Sequence, residues 1–275
     1  MSVGRRAVVT AGAGLALALA GAPAARAAAT TGTTGSVGRP RGRTLFVAGD
    51  STAAQKYADA APETGWGMAL PFFLHRELTV ANHAVNGRST KSFLDEGRLD
   101  ALLPDVRPGD VLLVQFGHND SKSADPTRYA APWGAYRDNL RVFVEAARSR
   151  GALPVLATSV ERRKFAADGT ALRTHGEYPA AMRATAAESD VPLLDVEALS
   201  LALWQRLGPE ATKTYFNWTA TEQDNTHFNP PGAIEVARLV ASELLRTEVL
   251  APRETRRLDD DIPTDRITWP VPEET

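Results

Sequence analysis

Residues 44–52 read TLFVAGDST, a run of mostly apolar side chains that ends in a glycine, a carboxylate and two hydroxyls. The run 44–48 is apolar without alternation, which is typical of a strand covered on both faces of a parallel sheet. Gly49 predicts a tight strand-to-helix turn that exposes the hydroxyl of Ser51 beside free backbone N–H groups. Ligands of open α/β sheets bind at this carboxyl edge of the strands. The stretch therefore predicts a buried strand with a polar site at its end.

The same pattern recurs along the chain. Four further apolar runs have the character of buried parallel strands, and they cover residues 79–85, 111–116, 153–158 and 191–196. Helical patterns lie between them: residues 133–150 place apolar side chains at helical spacing with Trp133 expected in the core, and Pro231 opens a last helix. Strands that alternate with helices predict an α/β fold, a three-layer α/β/α sandwich with a central five-stranded parallel sheet.

Composition excludes several classes of function. The 275 residues include 43% hydrophobic residues and no cysteine, so a globular core is expected while disulfides, thiolate nucleophiles and cysteine-held metals are excluded. A formal net charge of −2 gives no electrostatic footprint for nucleic acid. The sequence lacks an H-E-x-x-H or H-x-x-H spacing, and neither a metal nor another cofactor is expected.

The two ends of the chain are expected to lie outside the catalytic domain. Residues 1–27 carry paired arginines, an apolar run of about 14 residues and an A-x-A site, which indicate a Tat-like or Sec signal peptide and secretion. The run is too short for a permanent membrane anchor, and cleavage would take the net charge to −5. Residues 28–42 are interpreted as a flexible linker, 43–252 as the domain, and 253–275 as a polar C-terminal tail, solvated or draped on the surface.

Three further polar segments follow the strands or precede the last helix: residues 86–89 (NGRS), 117–120 (GHND) and 224–227 (DNTH). An aspartate three residues before a histidine on one turn can fix the imidazole tautomer and leave Nε2 free as a base. An asparagine amide at a strand end can hydrogen-bond a developing oxyanion. Each segment alone also fits an ordinary role, namely a helix cap, a turn or a surface loop, and the first turn could bind phosphate instead.

Taken together, these segments resemble the conserved blocks of the SGNH (GDSL-type) hydrolases over residues 43–250. Residues 49–52 (GDST), 65–67 (GWG), 87–89 (GRS), 117–120 (GHND) and 224–229 (DNTHFN) are similar to the rhamnogalacturonan acetylesterase branch. The resemblance implies a flavodoxin-like fold, secretion and independence of cofactors. It also implies that the irregular segments 164–178 and 209–223 shape the rim where the substrate is selected.

The resemblance assigns roles residue by residue. Ser51 would be the nucleophile, His227 the general base and then acid, and Asp224 the group that orients His227. The oxyanion hole would consist of the backbone N–H groups of Ser51 and Gly87 and the side-chain amide of Asn119.

The interpretation is a secreted, monomeric serine esterase that removes acetyl groups from plant cell-wall polysaccharide, with rhamnogalacturonan as the first candidate. Acetylxylan or small acetylated sugars, an extracellular lipase or thioesterase, and a non-enzymatic sugar-binding module remain as alternatives. Candidate contacts to the acetylated polysaccharide or oligosaccharide are Asp50, Trp66, Arg88, His118 and Trp218, because exposed aromatic rings stack on sugars.

Overall fold

The structure, a computed structural model, describes residues 42–272. The predicted signal peptide, nearly all of the predicted linker and residues 273–275 lie outside this range. The α-helices are α1 (Trp66–Ala69), α2 (Thr90–Asp95), α3 (Arg98–Leu102), α4 (Ala135–Ser149), α5 (Tyr178–Glu188), α6 (Val196–Thr212) and α7 (Pro230–Arg246).

The central sheet has five parallel strands in the order β2-β1-β3-β4-β5. Their bounds are β1 (Thr44–Gly49), β2 (Thr79–Asn82), β3 (Val111–Gln115), β4 (Leu153–Ala157) and β5 (Leu193–Leu194). Each strand lies within the apolar run that predicts it, or one residue beyond. The predicted five-stranded parallel sheet is confirmed.

The three layers follow from the alternation of side chains along each strand. In β1, Leu45 and Val47 point into a core formed with α1, α6 and α7. Phe46 and Ala48 point the other way, into a second core formed with α2, α3, α4 and α5. Both faces of the sheet are thus covered, which explains why β1 carries no polar residue between Leu45 and Ala48.

Helix α4 shows the predicted amphipathic pattern, and its buried side chains are Tyr136, Leu140, Phe143, Val144 and Ala147. The expectation that Trp133 belongs to the core is wrong. The helix begins only at Ala135, after a non-helical Gly134, and Trp133 is 49% exposed with the Arg137 guanidinium over its ring.

The segment before the last helix contains a hairpin that the sequence does not predict. Strands β6 (Phe216–Trp218) and β7 (Gln223–Phe228) pair antiparallel outside the main sheet. Residues 224–227 are therefore part of a strand and not a single turn. Upstream, α6 continues into the region expected to be irregular, with a kink at Gly208, where φ is 77°.

The described part of the polar tail is draped on the domain. The backbone N–H of His75 donates to the carbonyl of Glu254 at 2.8 Å, and Ile262 and Ile267 are buried. The indole N–H of Trp269 donates to the carbonyl of Glu63 at 2.8 Å. This part of the tail is therefore integral to the folded domain and braces the loop that contains Glu63.

Among residues 42–272, no helix combines the length and the hydrophobicity that a transmembrane span requires.

Candidate active site

Ser51 lies on a single turn at the carboxyl end of β1. The backbone N–H groups of Ala53 and Ala54 both donate to the Asp50 carbonyl at 3.1 Å. The helix expected to follow this turn is not formed here, since α1 begins only at Trp66. The phosphate-binding alternative therefore loses the helix N-terminus on which it depended.

The side chains of Ser51, His227 and Asp224 form one chain of hydrogen bonds. Ser51 Oγ lies 2.9 Å from His227 Nε2, and His227 Nδ1 lies 2.6 Å from Asp224 Oδ2. The second carboxylate oxygen of Asp224 accepts the backbone N–H groups of Thr226 and His227, so the side chain turns back along β7. This arrangement places the Nε2 lone pair towards the serine hydroxyl.

Burial and charge set the protonation of this chain. Burial of the ring acts to lower the pKa of His227, but the hydrogen bond with Asp224 and the nearby charge of Glu63 outweigh it and raise the pKa above its ordinary value. Burial acts to raise the pKa of Asp224, yet hydrogen bonds from His227 and Thr226 hold it below its usual range. The carboxylate is therefore ionised where the imidazole titrates.

The loops after β2 and β3 meet beside Ser51. The Asn119 amide donates to the carbonyl of Arg88 at 2.9 Å, which ties the Asn119 side chain to the Gly87 loop. Gly87 has a φ of 75°, in the region that glycine adopts without strain. The backbone N–H of Val85 donates to the carbonyl of Gly49 at 3.0 Å and fastens this loop to the end of β1.

Asp50 and His118 lie under the serine turn. The expectation that Asp50 contacts substrate is wrong, because its carboxylate is enclosed, whereas the expectation for His118 stays a prediction, because His118 is as exposed as Asn119. Asp50 is fully buried and His118 is 4% exposed. Asp50 accepts hydrogen bonds from the backbone and hydroxyl of Thr52, and its second oxygen lies 3.0 Å from His118 Nδ1. Although burial acts in the opposite direction, the charge and hydrogen bond of His118 help to lower the pKa of Asp50 to about 2. The hydrogen-bonded pair of Asp50 and His118 thus supports the turn that carries Ser51.

The aromatic candidates separate into one core residue and one surface residue. Trp66 is 1% exposed and its indole N–H donates to Gln115 Oε1 at 2.9 Å, so its predicted role in stacking on sugar is wrong. Trp218 is partly exposed on β6, with the Arg163 guanidinium 4.5 Å from its ring centre. Arg88 is partly exposed and paired with Glu96. Trp218 and Arg88 are thus partly exposed, and Lys213 Nζ also lies 5.2 Å from the Trp218 ring centre.

The sequence did not point to several charged groups around the site. Lys56, whose side chain is 1% exposed, forms an ion pair with Glu63 at 2.5 Å and donates to Asn86 at 2.6 Å. The charges of both residues act on the pKa of His227: Glu63 raises it and Lys56 lowers it. Arg162 follows β4, and its guanidinium donates to the carbonyl of His118 at 3.4 Å. The rule that ligands bind at strand ends would have singled out Arg162, whereas Lys56 and Glu63 lie in an irregular stretch that carries no such signal.

Two cavities flank the loop after β2. One, of about 510 Å³, is lined by Lys56, Tyr57 and Asn86, among other residues. The other, of about 720 Å³, is lined by Gly87, Arg88, Lys91 and Arg128, among others. Among the residues described, no three histidine, aspartate or glutamate side chains are grouped so as to hold a metal ion.

The fold and the hydrogen-bonded serine, histidine and aspartate correspond to a known family of hydrolases. The chain matches the GDSL-like Lipase/Acylhydrolase family over residues 47–233, and it belongs to this family. It is a carboxylic ester hydrolase.

Within the family, the chain is similar to the rhamnogalacturonan acetylesterase RhgT of Bacillus subtilis (strain 168). The two are 43% identical over 206 residues, which cover 72% of this chain and 87% of RhgT.

Solved structures show the same fold. The structure of YxiM from Bacillus subtilis has a TM-score of 0.68 and 29% identity, and the match covers 76% of this chain and 57% of that one. The acetylxylan esterase Axe2 of Geobacillus stearothermophilus has a TM-score of 0.54 and 16% identity, with 77% of this chain and 97% of that chain covered. At such identity the likeness to Axe2 concerns the fold alone.

Proposed function

We propose that this protein is a secreted serine esterase that removes acetyl groups from plant cell-wall polysaccharide, with rhamnogalacturonan as its substrate. The observation that carries the proposal is the continuous hydrogen-bonded chain from Ser51 through His227 to Asp224. The identity of 43% to an enzyme named rhamnogalacturonan acetylesterase supports the choice of substrate.

The first step is acylation of Ser51. His227 Nε2 accepts the hydroxyl proton while Ser51 Oγ attacks the acetyl carbonyl, and the ionised Asp224 stabilises the imidazolium that forms. The carbonyl oxygen becomes an oxyanion next to the backbone N–H groups of Ser51 and Gly87 and the Asn119 amide. The bond between the acyl carbon and the sugar oxygen then breaks, the imidazolium donates its proton to that departing oxygen, and acetyl-Ser51 remains.

The second step is hydrolysis of the acetyl-serine. Water gives a proton to His227 Nε2 as its oxygen attacks the acyl carbon, and the same donors stabilise the second oxyanion. Collapse of this intermediate breaks the bond to Ser51 Oγ, which takes the proton back from His227, and releases acetic acid, which loses its proton to the solvent as acetate. The catalytic groups thus end in their starting states.

The site is open, which suits a polymer. His227 and Asp224 retain 29% and 21% exposure of their side chains. A sugar chain can lie across such a surface while one acetyl group reaches the serine. Trp218 stays a candidate sugar contact, although Arg163 and Lys213 already lie against its ring.

Acetylxylan is the second candidate substrate, which the sequence interpretation leaves open. Acetate release from acetylated rhamnogalacturonan, compared with acetylated xylan at equal acetyl content, tests the choice. We expect kcat/KM to be at least tenfold higher on rhamnogalacturonan. Equal or inverted values would reject it as the preferred substrate.

The same assay separates the other classes of protein. A lipase or thioesterase would prefer p-nitrophenyl octanoate to p-nitrophenyl acetate, and a sugar-binding module would hydrolyse neither. We expect the acetate ester to be preferred and Ser51→Ala to abolish its hydrolysis.

Secretion is tested by expressing the full chain in a bacterial host and analysing the medium. We expect the medium to contain a protein whose N-terminus begins after Ala27. Retention of full-length chain in the cytoplasm would contradict secretion.

A further inference from the structure

Two cations beside the proposed oxyanion site have no carboxylate partner. Within residues 42–272, neither Lys122 nor Arg162 forms an ion pair, whereas Arg88, Lys91 and Arg128 each have one. A charged side chain near a site without a counter-ion is a candidate for binding an anionic ligand.

Arg162 is held in place by neutral acceptors. Its guanidinium donates to the carbonyl of His118 at 3.4 Å, and to the Thr174 hydroxyl at 3.4 Å. It also lies 3.3 Å from His175 Nδ1. The side chain is only partly exposed. These contacts orient the planar guanidinium at the carboxyl end of β4. None of them is made by a carboxylate, so the positive charge has no direct partner. A guanidinium held in this way can bind a carboxylate with two parallel hydrogen bonds.

The neighbouring acidic groups are already engaged. Asp50 is hydrogen-bonded to His118, and Asp224 is hydrogen-bonded to His227. Glu161 is buried and accepts hydrogen bonds from Thr174. These carboxylates attract Arg162 through space, but none of them forms an ion pair with it.

Lys122 and Arg128 continue this positive surface towards Gly87. The backbone N–H of Lys122 donates to the Asn119 carbonyl at 3.1 Å, so Lys122 lies one turn beyond the proposed oxyanion donor. Burial, followed by the like charges of Arg128 and Arg162, lowers the pKa of Lys122. Arg128 Nη1 lies 3.6 Å from the position that a Cβ on Gly87 would occupy. Arg128 Nε donates a hydrogen bond to Asp125.

We propose that Arg162, Lys122 and Arg128 form a subsite for a carboxylate of the substrate chain, next to the oxyanion site of Ser51. The matching ligand is a uronate residue of an acidic polysaccharide. Arg162 binds the carboxylate directly, and Lys122 and Arg128 add a positive field. The inference rests on the proposed function, and it explains how the enzyme would distinguish an acidic pectic chain from a neutral xylan.

The test uses two oligosaccharides that differ only in charge. One is an unacetylated rhamnogalacturonan oligosaccharide, and the other is the same compound with its uronate carboxylates reduced to alcohols. Each is measured as an inhibitor of p-nitrophenyl acetate hydrolysis at 50 mM and 300 mM salt. For the wild-type protein we expect the charged form to inhibit at a concentration at least tenfold lower, with a smaller difference at high salt.

Variants identify the residue responsible. In Arg162→Gln we expect the two oligosaccharides to inhibit within twofold of each other, and in Arg162→Lys we expect part of the difference to return. Arg141→Gln, an exposed α4 arginine paired with Asp138 and Glu188, serves as the control and should retain the wild-type ratio. Thermal unfolding of each variant verifies the fold, because Arg162 also contacts the His118 loop.

Equal inhibition by the two oligosaccharides in the wild-type protein would overturn the subsite. If Arg162→Gln left the ratio of the inhibitory concentrations of the charged and neutral oligosaccharides unchanged, the assignment to Arg162 would be overturned. Titration calorimetry with the same pair gives the comparison without turnover. Failure of the subsite and failure of the proposed function give different results. If the proposed function failed, the protein would release no acetate from rhamnogalacturonan but would still bind the charged oligosaccharide.

Discussion

His227 Nε2 lies 2.9 Å from Ser51 Oγ, although 176 positions separate the two residues in the chain. Ser51 is fixed by the turn at the end of β1, and His227 by the β6–β7 hairpin, which lies outside the main sheet. Because two separate elements carry the pair, its geometry depends on how the hairpin is attached to the domain. An isolated bridge between Thr64 and Phe228 provides part of that attachment.

Replacing Ser51 by alanine removes the proposed nucleophile without disturbing the core. We expect kcat on p-nitrophenyl acetate to fall by at least about 10⁴, since removing a triad nucleophile leaves only the residual catalysis of binding and the oxyanion donors. The melting temperature should change by only a few degrees. Hydrolysis that persists in purified, folded Ser51→Ala would contradict the serine mechanism.

The pH profile reports the protonation of His227. Its pKa is raised, so the neutral base becomes available only as the pH rises through a value above about 6.5, and kcat/KM should increase over that range. Glu63→Gln removes a charge that favours the imidazolium, so the rise should move to lower pH. Glu188→Gln, remote on α5, is the control. A profile that does not move in Glu63→Gln would argue against this electrostatic influence.

Asn119→Ala tests the side-chain donor of the proposed oxyanion hole. Loss of one such donor costs about 10²–10³ in kcat, and KM should change little because the interaction forms mainly in the transition state. Asn139→Ala, which removes an amide hydrogen-bonded to Thr90, is the matched control. A reduction of less than about fivefold in kcat for Asn119→Ala would exclude the amide from the oxyanion hole.

Asp50→Asn removes the buried charge beneath the serine turn. Although burial acts to raise it, interactions with His118 and Thr52 lower the pKa of Asp50 to about 2 in the folded protein, below the value of about 3.9 in an unfolded chain, so the ionised carboxylate stabilises the fold above pH 4. That contribution is lost as the pH falls towards 2. The difference in unfolding free energy between wild type and variant should therefore shrink below pH 4, as measured by denaturant titration. A difference independent of pH would refute this account.

Trp269→Ala tests whether the tail braces the loop at Glu63. The change removes a partly buried ring and its hydrogen bond to the Glu63 carbonyl, and we expect a loss of about 1–3 kcal/mol in stability. The pH at which kcat/KM rises should also shift, because the charge of Glu63 acts on the pKa of His227. Val271→Ala, at a residue that is 78% exposed, is the control. Unchanged stability would show that the tail is only loosely attached.

The sequence alone was sufficient for the sheet. Strands β1, β3 and β4 lie in continuous apolar runs, since a strand buried on both faces cannot carry polar residues at alternate positions. The edge strand β2 is partly exposed and carries Thr79 and Asn82, so the expectation that it is buried is wrong. The positions of Ser51 and Asn119 followed from the same reasoning, because parallel strands present their carboxyl ends at one edge. The pairing of Asp224 with His227 followed from their spacing, even though the segment is a strand.

Other features were decided by tertiary packing. Local sequence does not distinguish a buried aromatic ring from an exposed one, which is why the expectations for Trp66 and Trp133 are both wrong. Asp50 and His118 stand beside the reactive residues in sequence yet lie beneath them in the fold. The charged neighbours Lys56, Glu63 and Arg162 come from separate segments. The sequence determines which groups reach the edge of the sheet. Burial and long-range contacts, which depend on every surrounding element, decide which of these groups are enclosed and which remain partly exposed at the proposed site.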